Sequence, residues 1–248
     1  MRTGLVLLVV LATSAIAAPH KKAKPVIKHA VARFQNPDDA ADTPAVHYAA
    51  MAPDDCLAEL DKRKIDYQKE TAKGVLAPVR LAGPLHGVLF RTDLNEDQRA
   101  TTPWEIADCR LVLALDDFAQ ILEKHDVVEV RHYSIYRPPP KSASDSGSDK
   151  EGTRHEGAMA IDAAHFIDKT GKSLDVVKHF HGAIGAKTCG EGAAPDPATA
   201  EATELRAILC DAVAAHLFNV VLTPNYNKPH HNHFHLEVTK DVKWFLVH

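Results

Sequence analysis

Residues 154–166 read RHEGAMAIDAAHF. On an extended chain Ala158, Ala160 and Asp162 share one face while Met159 and Ile161 share the other. The pattern predicts a strand over 158–167 whose Met159 and Ile161 face a core. Asp162 then projects beside two small side chains that leave room for a metal and a substrate. His155 stands seven residues before Asp162, in the turn ahead of the strand, where it can swing onto the same side. A second stretch, NKPHHNHFHLEV at 227–238, alternates His231, His233, His235 and Glu237 with Asn232, Phe234, Leu236 and Val238. Period-two alternation puts imidazoles on one face of a second strand, 233–238, and mostly apolar residues on the other.

The same reading extends outward. Leu111, Leu115, Phe118, Ile121 and Leu122 recur at helical steps and predict an amphipathic helix over 111–125. The β-branched and aromatic run VVEVRHYSIYR predicts a strand at 127–137, and SLDVVKHF predicts another at 173–180, across a Lys169-Thr170-Gly171 turn. Two β-rich runs within 75–90, broken by Gly83-Pro84, read as an extended pair or hairpin. Asp54 or Asp55 caps an expected short helix carrying Leu57 and Leu60, and a longer helix is expected around 197–217. NVVLTP, 219–224, precedes the His-rich turn. Helices and strands mix without a repeating βαβ pattern, so the expected class is α+β, a mainly antiparallel sheet flanked by helices.

Composition narrows the function. With 248 residues, 45% hydrophobic and 25% charged, the chain has globular composition. A net charge of −4 gives no basic field for nucleic acid. Arg2, an apolar run from Leu5 to Ala12 and the small residues ending at Ala17 predict a signal peptide over 1–17 and a secreted or periplasmic protein. No segment is apolar long enough to span a membrane. Residues 18–52 read as a flexible tether and 53–248 as one folded domain. The Pro-, Ser- and Gly-rich stretch 138–152 reads as a long mobile loop. Four cysteines, Cys56, Cys109, Cys189 and Cys210, suggest two disulfides in an exported chain. Three pairings are open to them; Cys56–Cys109 with Cys189–Cys210 closes the shorter loops.

The 16 histidines are the compositional excess, and four of them fall within residues 230–235. Two His and one Asp form a donor set suited to zinc, with a fourth position left for water. Zinc lowers the pKa of bound water to ~7 and polarises a scissile carbonyl, which points to hydrolysis. A His-Glu-x-x-His zincin motif is absent, since His155-Glu156 is followed by Gly157-Ala158-Met159. No Gly-x-Ser-x-Gly elbow and no Walker-type phosphate loop occurs. His179 and His181 form a second His-Phe-His that runs straight into Gly182 and reads as surface. His165, near a strand end, reads as structural.

Cys56, the APVRL segment at 77–81, Cys109, Tyr136-Arg137, His155 through Asp162 and NHFHLEV at 232–238 together resemble the bacterial extensin-like C-terminal domain family. That family is similar to zinc peptidases of the D-alanyl-D-alanine and hedgehog type, which implies a hedgehog/DD-peptidase-like fold. The resemblance implies His155, Asp162 and His235 as zinc ligands. Several relatives carry Glu three residues before the last ligand, where this chain has Asn232. Others, murein endopeptidases among them, use a His-x-x-His-x-His run that His230, His233 and His235 match, which implies His233 as base or transition-state stabiliser. Glu237 is a weaker candidate for that role. Arg137 matches an arginine that orients substrate or stabilises an oxyanion. The implied activity is cleavage of peptidoglycan peptide bonds, and the alternative is an inactive zinc-containing module that binds the cell wall.

Overall fold

The computed structural model describes residues 33–34, 40–139 and 154–248. The expected signal peptide, Met1–Ala17, and nearly all of the loop expected at 138–152 lie outside the described residues. The strands are β1 (Arg33–Phe34), β2 (Tyr67–Lys69), β3 (Pro78–Leu81), β4 (Leu89–Arg91), β5 (Ile106–Asp108), β6 (Val127–His132), β7 (Ala160–Asp168), β8 (Ser173–Asp175), β9 (Val220–Leu222), β10 (Phe234–Glu237) and β11 (Phe245–Val247). The α-helices are α1 (Pro44–Ala50), α2 (Pro53–Lys62), α3 (Glu96–Thr101), α4 (Cys109–Lys124), α5 (Val176–His179) and α6 (Ala200–Ala214). The class is α+β.

Among the described residues one sheet runs β1-β11-β9-β10-β7-β6-β4, with β8 also on β7, and a smaller sheet runs β2-β3-β5. The large sheet is mixed: β4 pairs parallel with β6, and β11 parallel with β9. The two runs at 75–90 do not pair with each other, because β3 lies between β2 and β5 while β4 edges the large sheet. A local turn at Gly83-Pro84 fits either outcome, and the distant partners decide.

Helix α4 is the hub. Leu111, Val112, Leu113, Ala114 and Leu115 are buried in succession, so the helix is enclosed on every side along this stretch rather than on one face. Asp108 caps it, accepting from Arg110 N–H, and holds the Arg110 guanidinium in a fully buried ion pair at 2.7 Å. The Asp108 carboxylate also accepts from Ala77 N–H, and its own N–H donates to Ala158 C=O. One aspartate thus joins β5, α4 and the turn that leads into β7.

Disulfides Cys56–Cys109 and Cys189–Cys210 tie α2 to the start of α4 and the segment before α6 to α6 itself. Pro53, not Asp54 or Asp55, opens α2, and both aspartates lie in its first turn, where they complement the helix dipole. The expected tether is ordered at its C-terminal end. Helix α1 buries Ala45, Tyr48 and Ala49, and Arg63 donates to Tyr48 Oη at 2.8 Å. The strand expected over 173–180 stops at Asp175, whose carboxylate caps α5 by accepting from Val177 and Lys178 N–H.

Strand β7 carries an irregularity that matters for the site. Arg131 faces His165, and the next residue, His132, faces Ala163, so Ala164 is an extra residue. Before it, Met159 and Ile161 are in the core and Asp162 faces the site; after it, Phe166 is in the core and His165 and Ile167 are part-exposed.

Candidate metal centre

Asp162 and His235 are direct cross-strand partners on the antiparallel pair β7 and β10. Period-two alternation on β10 sends Phe234, Leu236 and Val238 into the core and turns His233, His235 and Glu237 to the other face. His155 reaches the same place from the turn ahead of β7. That turn has positive φ at Arg154 (49°) and at the fully buried Ala158 (54°), a conformation tolerated with a small side chain. It is pinned by hydrogen bonds from Met159 N–H to Arg154 C=O and from Arg137 N–H to His155 C=O.

Three donor atoms converge. His155 Nε2 and Asp162 Oδ1 are 3.1 Å apart, His235 Nδ1 and Asp162 Oδ1 3.1 Å, and His155 Nε2 and His235 Nδ1 3.3 Å. Zinc bonds of about 2.0–2.1 Å at the tetrahedral angle hold their donor atoms roughly 3.3 Å apart. The triangle therefore has the edge length of one face of a tetrahedral site, and these three buried residues can hold a metal ion. Their outer partners set the tautomers the metal needs. His155 Nδ1–H donates to Ile135 C=O at 2.8 Å, and His235 Nε2–H donates to Glu237 Oε2 at 3.0 Å, so the inner nitrogen of each ring keeps its lone pair. Thr239 Oγ1 donates to the other Glu237 oxygen.

Burial opposes charge on Asp162, but contacts with His155, His233 and His235 outweigh it and hold the carboxyl far below the usual range. Burial pulls the His235 imidazole down, yet Asp162 and Glu237 overcome it and leave the pKa raised. His230, half-buried and beside His233 and His235, is pushed down to about 4, first by burial and then by those neighbours.

The other residues singled out from sequence fall around this centre. His233 Nε2 lies 3.3 Å from Asp162 Oδ1, beside the triangle. Arg137 donates from Nε to Ser134 Oγ at 2.8 Å and from its terminal nitrogen to Asp162 Oδ2, leaving Oδ1 to face the imidazoles. His231 stays exposed, off the strand, at the end of a short 3-10 turn. His179 lies in α5, where its ring accepts from Asp175 N–H, and His165 faces Asp93 and Asp175. Glu237 serves behind His235 rather than in front of the centre; its period-two spacing from His235 was the sequence signal for that. Sequence reading missed Ile135 and Tyr133 as site residues. The polypeptide just beyond β6, read simply as strand, wraps the centre: Tyr133 N–H donates to Asp162 C=O, and Asp162 N–H donates to Ser134 C=O.

A search of curated proteins finds no match. A search of solved structures finds none either. The family described as extensin-like protein C-terminus matches residues 54–246, a span that holds both disulfides, all three donor residues and every strand from β2 to β10. The chain therefore belongs to the extensin-like protein C-terminus family.

Proposed function

We propose that this is an exported, zinc-dependent peptidase acting on peptide bonds of cell-wall peptidoglycan. The observation that carries the reading is the buried His155–Asp162–His235 triangle, whose edges match a tetrahedral face and whose members come from three separate segments. The likeness of the His-x-His run to zinc peptidases supplies the substrate class, and the two disulfides accord with an oxidising compartment.

Zinc held by these residues would supply Lewis acidity at a scissile carbonyl and acidify water. The chain's own groups do the rest. Asp162, stripped of water and surrounded by imidazoles, stays ionised as a ligand, with Arg137 fixing its second oxygen. His233 Nε2, next to the centre, accepts the proton of the attacking water and returns it to the leaving amine. The exposed part of the Arg137 guanidinium offers remaining N–H groups to a substrate carbonyl or carboxylate.

The test is the metal content of the purified chain together with release of muropeptides from intact peptidoglycan, with and without chelator. One zinc per chain and chelator-sensitive release are expected. His155→Ala, Asp162→Ala and His235→Ala should each lose the metal, and unchanged zinc in all three overturns the ligand assignment. One observation favours a second reading: the half-buried amide of Asn232 stands where several zinc peptidases carry an acid. Stoichiometric zinc without any turnover would make the chain a wall-binding module instead.

A further inference from the structure

His233 is held by more than its strand. Its Nδ1 lies 2.9 Å from Asn232 Oδ1, and Asn232 Nδ2 donates to Tyr133 Oη at 3.1 Å. Tyr133 is itself anchored to the centre, because its backbone N–H donates to Asp162 C=O at 2.9 Å. Its ring meets the His233 ring edge-on at 5.9 Å, and the His230 ring touches His233 at 5.2 Å. Both rings restrict rotation of the imidazole.

The orientation of the Asn232 amide decides the tautomer. Once the amide nitrogen of Asn232 is committed to the phenol oxygen, its carbonyl oxygen is what faces His233 Nδ1. A carbonyl can only accept, so Nδ1 carries the hydrogen, and in the neutral ring Nε2, on the side of Asp162, carries the lone pair. We propose that Asn232 and Tyr133 are positioning residues that lock His233 as the Nδ1–H tautomer, leaving Nε2 as a proton acceptor facing the His155–Asp162–His235 centre. The proposal rests on the reading of His233 as the base and gives the amide at 232 a role: it directs a neighbouring imidazole.

Tautomers are read directly by long-range 15N–1H correlation on the zinc-loaded full chain at pH 8, so that arm does not depend on turnover. The wild type is expected to show His233 protonated at Nδ1. Asn232→Asp keeps an acceptor at that place and should keep the tautomer. Asn232→Leu should give a tautomer mixture, as should Tyr133→Phe, which frees the amide to turn over. Zinc content should be unchanged in all three, because none of these side chains is a ligand. Hydrolysis of peptidoglycan should then fall about tenfold in kcat, with KM little changed, in Asn232→Leu and Tyr133→Phe but not in Asn232→Asp. Nε2–H in the wild type, or an Nδ1–H tautomer that survives Asn232→Leu, overturns the proposal. A locked tautomer in a chain that cleaves nothing leaves the clamp standing and removes the peptidase reading instead.

Discussion

Single residues show how the centre is tuned from outside. Glu237 lies behind the triangle, yet it holds the outer nitrogen of His235, and such partners of a metal ligand are worth about 10–100-fold in metal affinity. Glu237→Gln, which accepts more weakly and can turn its amide, should lower zinc affinity within about that range in a competition titration with a chromogenic chelator. An unchanged affinity would mean His235 is oriented by its strand alone. His132 poses the opposite case. It is 3% exposed, neither ring nitrogen has a hydrogen-bond partner among the described residues, and burial pushes its pKa down to about 3. An unfolded histidine titrates near ~6.5. Between those values the unfolded chain binds a proton that the folded chain refuses, so stability present above about pH 6.5 is lost as pH falls toward 3, by about 1.4 kcal/mol per unit. His132→Leu should flatten that acid limb in urea unfolding of the chelated protein, and parallel curves would show that another group sets it. These chemical identities were legible in sequence where they repeat on a strand, as His233, His235 and Glu237 do. Tyr133 and Ile135 were not, because what they contribute is a backbone path around Asp162 that no periodicity encodes.

At the scale of elements, the strands that carry the site were readable and their partners were not. Alternation over 158–167 and 233–238 is a local property and located β7 and β10, with the alternation itself ordering core and site faces. Pairing is non-local, so the runs at 75–90 suggested a hairpin and instead joined two sheets. The segment SLDVVKHF has strand composition throughout, but the Asp175 carboxylate satisfies the first helical N–H groups and ends β8 early. Asp108 is the corresponding junction in the core, joining Arg110, Ala77 and Ala158 at once. Asp108→Ala strands a guanidinium that is 1% exposed, and removing one member of such a pair costs about 3–5 kcal/mol. Chemical denaturation should show that loss. Because the bond to Ala158, in the turn presenting His155, comes from the Asp108 backbone N–H and survives the substitution, zinc affinity should change little; affinity lost together with stability would show that the side chain supports the turn.

Across the whole molecule, the helical layer is stapled and the site-bearing sheet is not. Cys56–Cys109 closes a separation of 53 residues and Cys189–Cys210 one of 21, both ending on helices packed against the core. Chain-entropy arguments assign about 3–4 kcal/mol to each closure. Reduction should therefore lower the unfolding midpoint strongly, and a reduced chain as stable as the oxidised one would remove the disulfides from the account of stability. Helix α1, which precedes the span that the family match covers, belongs to the same body: its Tyr48 joins Arg63 in a network with Asp116 and Asp117 of α4. Low hydrophobic periodicity hid this helix in the sequence, since Ala45, Tyr48 and Ala49 make a short and mostly small apolar face.

The extra residue in β7 gives the chain a phase as well as a composition. Deleting Ala164 would make β7 a regular strand in which Ile161, Ala163 and Phe166 follow at two-residue steps and keep their faces, whereas pairing the full-length segment without the bulge would exchange inside for outside at every position beyond it. In such a flattened strand Phe166 would turn toward water and His165 toward the core. Loss of the residue and loss of the bulge are thus very unequal injuries at this point. The number of residues between Asp162 and Phe166 sets the phase of β7, and one further residue inserted there would act as a frameshift in space.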